Sequence, residues 1–261
     1  MAATQSRIEL KSAREIGLLR AAGHLSARIL FELKAAVVPG MTTRDIDALA
    51  ARLMRENGAV PSFLNYRGYP ATICASVNEE VVHGIPGNRK LKEGDVLSLD
   101  IGMFVEGYCG DTATTFVVGG KASPEAERLM QVGRQSLAAS MAAATFNGRL
   151  GDVSYAMQKV VEDAGFTVVK EYGGHGIGRA MHEEPHVPCY GKPGTGMRLT
   201  EGLVLALEVM ANAGTANILH KSDGWTVVTA DKKISVHYEK MVAITAQGTE
   251  VLTPHGDEGS L

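Results

Sequence analysis

Cysteine is scarce in this chain: Cys74, Cys109 and Cys189 are the only three among 261 residues. They are odd in number, widely separated and free of any Cys-x-x-Cys pair. That excludes a disulfide framework or a zinc knuckle and fits a reducing compartment. No Lys/Arg-rich run occurs and the formal net charge is −3, which argues against direct nucleic-acid binding. No apolar run reaches the roughly 20 residues that a membrane-spanning helix requires. The most apolar stretch, around Leu137 to Phe146, is short and Ala-rich and reads as a buried helix. The opening Met-Ala-Ala-Thr-Gln-Ser-Arg lacks the apolar centre of a signal peptide. What remains is 45% hydrophobic and 21% charged, the composition of a soluble, cytoplasmic globular protein able to bury a core.

One phrase is present twice. Residues 91–100 read Leu-Lys-Glu-Gly-Asp-Val-Leu-Ser-Leu-Asp, and residues 199–208 read Leu-Thr-Glu-Gly-Leu-Val-Leu-Ala-Leu-Glu. Both reduce to Leu-x-Glu-Gly-x-Val-Leu-x-Leu-acid, ending on Asp100 and Glu208, and each is preceded by His-Gly-Ile, at His83 and His175. The elements around them repeat as well. Apolar spacing predicts a helix over 12–35 with Ser12 as its cap, and a second from Thr43 to Asn57-Gly58. In the second half, Ser123-Pro124 starts a helix that runs to about Ala144, and Asp152 caps another that ends at Asp163-Ala164-Gly165. A period of about 110 residues is too long for a solenoid and points to a duplicated half-domain. The pattern predicts a single α+β domain over 1–261, with halves near 1–120 and 121–254 related by a pseudo-twofold. A central antiparallel sheet would be covered by four helices, and 255–261 would form a disordered tail.

The acids fall where strands would hold them. Along Val96–Met103, Leu97, Leu99, Ile101 and Met103 share one face while Ser98, Asp100 and Gly102 share the other. A tight turn at Glu106-Gly107 would return the chain so that Asp111 lies diagonal to Asp100, with Cβ atoms roughly 7 Å apart. Such a pair repels unless something neutralises it, and two divalent cations roughly 3.5–4 Å apart would do so. Glu208 stands where Asp100 stands in the repeat, and Glu239, on the later strand Ile234–Ile244, is the expected match for Asp111. His175 lies in Gly173-Gly-His-Gly-Ile-Gly178, where glycines permit close backbone approach. This stretch lacks the ending of a phosphate loop. Four carboxylates and one histidine suit Mn²⁺, Fe²⁺, Co²⁺ or Zn²⁺. A lone strand Asp is ordinarily solvated, and a lone histidine among glycines is ordinarily structural. The duplication ties these residues to one location.

With these residues in view, the chain resembles a type I methionine aminopeptidase of the pita-bread fold over nearly its whole length. The resemblance is carried by Tyr66-Arg-Gly-Tyr-Pro70, Asn78-Glu-Glu-Val-Val-His-Gly-Ile-Pro86 and Gly110-Asp-Thr112. It continues through Gly174-His-Gly-Ile-Gly178, His182-Glu-Glu-Pro185, Asp223-Gly-Trp225 and Tyr238-Glu239. It departs from the usual pattern at Val209, Lys240, Phe63 and Met181. It implies Asp100, Asp111, His175, Glu208 and Glu239 as ligands of two divalent metal ions, with an auxiliary monovalent cation undetermined. Asp111 and Glu239 would bridge the pair, Asp100 completing one side and His175 with Glu208 the other.

The implied activity is hydrolytic removal of the N-terminal methionine from nascent polypeptides, at the ribosome, with a small second residue preferred and a metal-bridging hydroxide as nucleophile. Glu208 would also shuttle a proton. His182 would stabilise the oxyanion and His83 would contact the neighbouring amide. By residue pattern alone, His182 beside Glu183 and Glu184 reads as a capping or surface residue. Phe63, Tyr66, Tyr69, Cys74, Met181 and Trp225 would line a methionine-sized pocket, since aromatic and sulfur groups suit a thioether. The implied form is the short bacterial one without zinc-finger or proline-rich extension, monomeric and independent of membranes. Competing expectations are a proline-specific peptidase of the same fold and a non-catalytic relative that binds peptide.

Overall fold

The computed structural model describes residues 8–254; the segment expected to be a disordered tail, 255–261, lies outside the described residues. Helix α1 (Ala13–Ala36) begins where Ser12 and Glu15 cap each other, the Ser12 N–H donating to the Glu15 carboxylate at 2.9 Å. Helix α2 (Thr43–Glu56) starts the same way on Thr42 and Asp45. Helix α3 (Pro124–Ala143) follows Ser123 as cap, with proline at its first position. Helix α4 (Leu150–Asp163) corrects the sequence expectation: Arg149 occupies the cap and Asp152 sits inside the first turn. There its carboxylate accepts from the N–H groups of Arg149 (3.2 Å) and Gly194 (2.7 Å). An acid at the third helical position reaches back to the amide of the cap residue itself, while the first-turn amides of Leu150 and Gly151 go to the Met197 and Thr195 carbonyls.

The strands of the first half are β1 (Val60–Pro61), β2 (Cys74–Val77), β3 (Glu80–Val82), β4 (Val96–Val105) and β5 (Tyr108–Val117), with a 3₁₀ turn at Tyr66–Gly68. Those of the second half are β6 (Thr167–Val168), β7 (Gly173–Gly176), β8 (Glu183–Pro188), β9 (Val204–Asn212), β10 (Ile218–His220), β11 (Val227–Thr229), β12 (Ser235–Thr245) and β13 (Gly248–Val251). The main sheet runs β1-β4-β5-β12-β9-β7-β8, with β2 added on β4, β6 on β9 and β13 on β12. The excursion between β9 and β12 builds a separate small sheet, β10-β11-β3. The sequence did not anticipate it. No helix of the described residues is long and apolar enough to cross a membrane.

Helices back one face only. Leu97, Leu99, Ile101 and Met103 of β4 bury against Ile29, Leu30, Leu33, Ile46 and Met54 of α1 and α2. In the second half Leu205, Leu207 and Val209 of β9 bury with Leu129, Val132, Val153 and Met157 of α3 and α4. Each such side chain contributes on the order of 1.5–3 kcal/mol. Period-2 alternation then obliges Asp100 and Glu208 to face the other side of the sheet.

The two halves meet where β5 lies beside β12. The registered pair there is Ala113–Glu239. Side chains reinforce this seam: the Thr112 hydroxyl donates to the Glu239 carbonyl (2.9 Å) and the Thr115 hydroxyl to the His237 carbonyl (2.8 Å). Thr115 Oγ1 also accepts from the His237 N–H (2.9 Å) and lies 2.7 Å from the Ser98 hydroxyl.

Candidate metal centre

Register brings the acids together. Glu106 and Gly107, at φ 50° and 80°, form the tight turn that pairs Gly102 with Asp111 and Asp100 with Ala113. Asp111 is therefore diagonal to Asp100 on the same face, as the hairpin predicts. Across the seam, Ala113 pairs with Glu239 and Glu239 with Glu208. Asp100, Ala113, Glu239 and Glu208 thus form one row over four strands. The next row holds Gly102 with Asp111, and Met241–Ala206–His175 from β12, β9 and β7. The Asp111 N–H, 3.1 Å from Met241 Sδ, joins its two parts. Here the sequence expectation needs correction. Glu239 stands directly opposite Glu208, whereas Asp111 is offset by two residues from the partner of Asp100, so Glu239 and Asp111 do not hold equivalent positions.

All five side chains line one cavity of about 780 Å³. The tightest set is Asp111, His175 and Glu239, whose potential ligand atoms lie within 4.8 Å of one another. Glycines make this possible at β7. A Cβ on Gly174 would overlap the Ala206 carbonyl oxygen, and one on Gly176 would overlap that of Glu184. His175 Nδ1 lies 2.9 Å from the Gly176 carbonyl oxygen, an acceptor only, so Nδ1 carries the proton and Nε2 presents its lone pair. That Nε2 is 3.9 Å from Glu239 Oε1.

Electrostatics mark this cluster as incomplete without positive charge. Burial raises Asp100 to about 7, with Glu208 adding to the rise. Burial also pushes Asp111 and Glu239 well above the ordinary carboxylate range, helped by each one's acidic neighbours. Burial pushes Glu208 the same way, but the His237 hydrogen bond and nearby histidines outweigh it and carry Glu208 down to about 2. Oδ1 of Asp100 and Oδ1 of Asp111 are buried with no hydrogen-bond partner. Buried acceptors are ordinarily satisfied. Two unpaired carboxylate oxygens beside an imidazole lone pair are the donor set that a divalent cation takes, so the residues fit one.

The predicted histidines and pocket residues gather at the same cavity. His182 packs against His175 with ring centroids 4.4 Å apart, and its Nδ1 is 2.9 Å from the Tyr66 hydroxyl. His83 is half-buried and His182 more exposed. Desolvation by the groups around them lowers each to about 4, with neighbouring His175 adding to the fall at His182, which favours the neutral imidazole. His83, at φ 60°, sets its ring edge-on to Trp225 and Tyr172, with centroids 6.1 and 5.3 Å away. Phe63, Tyr66, Tyr69, Cys74, Met181 and Trp225 all line the cavity, and Tyr69 meets Trp225 edge-on at 5.1 Å. Trp225 is held by Asp223, whose carboxylate accepts its N–H at 2.9 Å. Glu80, from the Asn78–Pro86 segment, is a structural clip. It accepts from the Val77 N–H (2.9 Å) and Lys221 (2.6 Å).

Sequence reasoning passed over Tyr172, Arg67, Arg179 and His237, which also line the cavity. For His237 a signal existed. It lies two residues before Glu239 on the same strand and so on the same face.

A buried carboxylate–histidine cluster on a duplicated, helix-backed antiparallel sheet is the architecture of a metallohydrolase. The comparisons narrow that class. The model of metallopeptidase family M24 matches residues 17–246. "Methionine aminopeptidase 1" of Bacillus subtilis is 46% identical over 243 residues, covering 93% of this chain and 98% of the relative. A crystal structure of methionine aminopeptidase from Thermotoga maritima superposes with a TM-score of 0.93 at 40% identity, over 95% of this chain and 100% of that one. The prolidase of Pyrococcus horikoshii shares the fold alone, with a TM-score of 0.75 at 20% identity over 95% of this chain and 64% of that one. The fold is the pita-bread fold, and the chain belongs to metallopeptidase family M24.

Proposed function

We propose that this chain is a methionyl aminopeptidase that removes the N-terminal methionine of polypeptides through a pair of divalent cations. One observation carries the reading: five ionisable side chains from both halves converge on a cavity whose adjoining wall is aromatic and sulfur-rich. Asp111 and Glu239 would hold both ions, Asp100 would complete one side, and His175 with Glu208 would complete the other. When bound, Co²⁺, Mn²⁺, Fe²⁺ or Zn²⁺ supplies charge neutralisation, Lewis acidity toward the scissile carbonyl and a water acidified toward neutral pH.

The chain's own residues do the rest. Phe63, Tyr69, Cys74, Met181 and Trp225 receive the thioether, Tyr66 closing the same wall; the Tyr69 hydroxyl is already spent on the Ile73 and Gly84 carbonyls (3.0 and 3.1 Å), so its ring is what faces substrate. Glu208 would accept a proton on a carboxylate oxygen and pass it to the departing amine. With the Tyr66 hydroxyl donating to Nδ1, His182 has its Nε2–H to offer the carbonyl oxygen as charge develops there. His83 would donate to or accept from the amide beyond the cut, where the family resemblance implies a preference for a small second residue. The substrates would be nascent chains at the ribosome, met by a monomer in the cytoplasm.

The test combines metal content with product release. Purified protein should bind divalent metal and release methionine from Met-Ala-Ser, poorly from Met-Lys-Ser, and release nothing from Xaa-Pro peptides. Asp111→Asn should lose metal and at least about 10³-fold in turnover. Full activity in that variant, or preference for the Xaa-Pro peptide, would refute the assignment.

A further inference from the structure

His237, like His186, lines the cavity without having been assigned by the repeat or the resemblance, and of the two it is the buried one. It is 3% exposed, and its Nε2 is 2.9 Å from Glu208 Oε2. A carboxylate oxygen cannot donate when ionised, so Nε2 carries the proton and donates. We propose that His237 is the positioning residue for Glu208: it holds Oε2 and thereby turns Oε1 toward the cation that Glu208 and His175 share. The inference rests on the assignment of Glu208 as a ligand.

Three features of the fold support it. Strand alternation puts His237 on the same face as Glu239, and its Cα partner across the ladder is Met210, two residues beyond Glu208. The imidazole therefore reaches Glu208 along the sheet diagonal from one fixed direction. Its backbone is fastened at the seam, where a single Thr115 hydroxyl accepts from the His237 N–H (2.9 Å) and donates to its carbonyl (2.8 Å). The Ser98 hydroxyl, 2.7 Å from Thr115 Oγ1, completes that hydroxyl's bonding. The chain thus spends a buried three-residue relay across the junction of its halves to fix one imidazole against one carboxylate oxygen. Outer groups that hold a ligand in this way commonly govern metal affinity by about 10–100-fold.

His237→Leu removes the donor at similar bulk, and His237→Gln restores an N–H at similar reach. Metal-free wild type and both variants are titrated calorimetrically with Co²⁺, the visible cobalt spectrum is recorded, and kcat and KM for Met-Ala-Ser are measured separately. In His237→Leu the cobalt stoichiometry should match wild type, the weaker dissociation constant should rise about 10–100-fold, and kcat should fall while KM stays within about twofold. His237→Gln should recover both to within about threefold. If His237→Leu fails to fold, His237→Asn, too short to span the contact, should show the same weakening.

Unchanged cobalt affinity in the donor-less variant overturns the proposal. So does loss of one cobalt equivalent that glutamine does not restore, because that makes His237 a ligand itself. Wild type that binds no cobalt sinks the underlying assignment of the site instead, which keeps the two failures distinct.

Discussion

Glu239 stands directly across the β9–β12 ladder from Glu208, and Asp111 approaches Glu239 from the other half of the sheet. Opposed acids on neighbouring strands repel, and burial leaves them little solvent to share the charge. The arrangement is therefore unfavourable for the metal-free protein and favourable only once cations are bound. Ligand convergence is written into the register of the seam, where the two halves must dock correctly for either hairpin to be useful.

The cost is measurable in the metal-free protein. Burial raises Glu239 above its unfolded value, so its effect is absent below the unfolded pKa and grows as pH rises through and beyond it. Glu239→Gln removes that effect. The metal-free variant should be more stable than metal-free wild type at pH 7, by about 1–3 kcal/mol, and equal to it near pH 4. Thermal unfolding of both proteins at the two pH values checks this. A variant less stable at pH 7 would contradict the electrostatic account.

His182 and Tyr66 test the division of labour between holding metal and stabilising charge. His182→Ala should lower kcat about 10²-fold with metal content unchanged, because its partner is a phenol and not a ligand. Tyr66→Phe should cost only severalfold, since the imidazole stays and loses one orienting bond. Metal analysis beside steady-state kinetics separates the cases. Metal lost from His182→Ala would make it a ligand.

Much of this was legible in the chain. Ser12, Ser123 and the Glu106-Gly107 turn act locally, so caps and the β4–β5 hairpin follow from neighbouring residues, and alternation in Val96–Met103 correctly opposed Asp100 to the leucine face. The Glu239 register was not legible, because 211–233 wanders through β10 and β11 and no short turn sets the pairing. Asp152 was misread as a cap because its carboxylate acts at the helix start from inside the first turn, reaching back to the amide of Arg149. His237 was missed because its partner, Glu208, lies 29 residues away in the chain.

Gly174 tests the close packing that seats His175. A Cβ there meets the Ala206 carbonyl oxygen, which is backbone and cannot swing aside. Gly174→Ala should lower the unfolding free energy by about 1–3 kcal/mol and weaken metal binding together with it. Denaturant unfolding and cobalt titration of the variant measure both, and unchanged values would mean that β7 has room the structure denies it.

The central claim, that both halves place their carboxylates around a shared pair of cations, is met most directly by anomalous diffraction from crystals soaked in Mn²⁺ or Co²⁺. Two peaks about 3.5–4 Å apart, each touching Asp111 and Glu239, with Asp100 at one and His175 and Glu208 at the other, are the predicted result. Ions bound elsewhere on the chain, with these five side chains left bare, would contradict it.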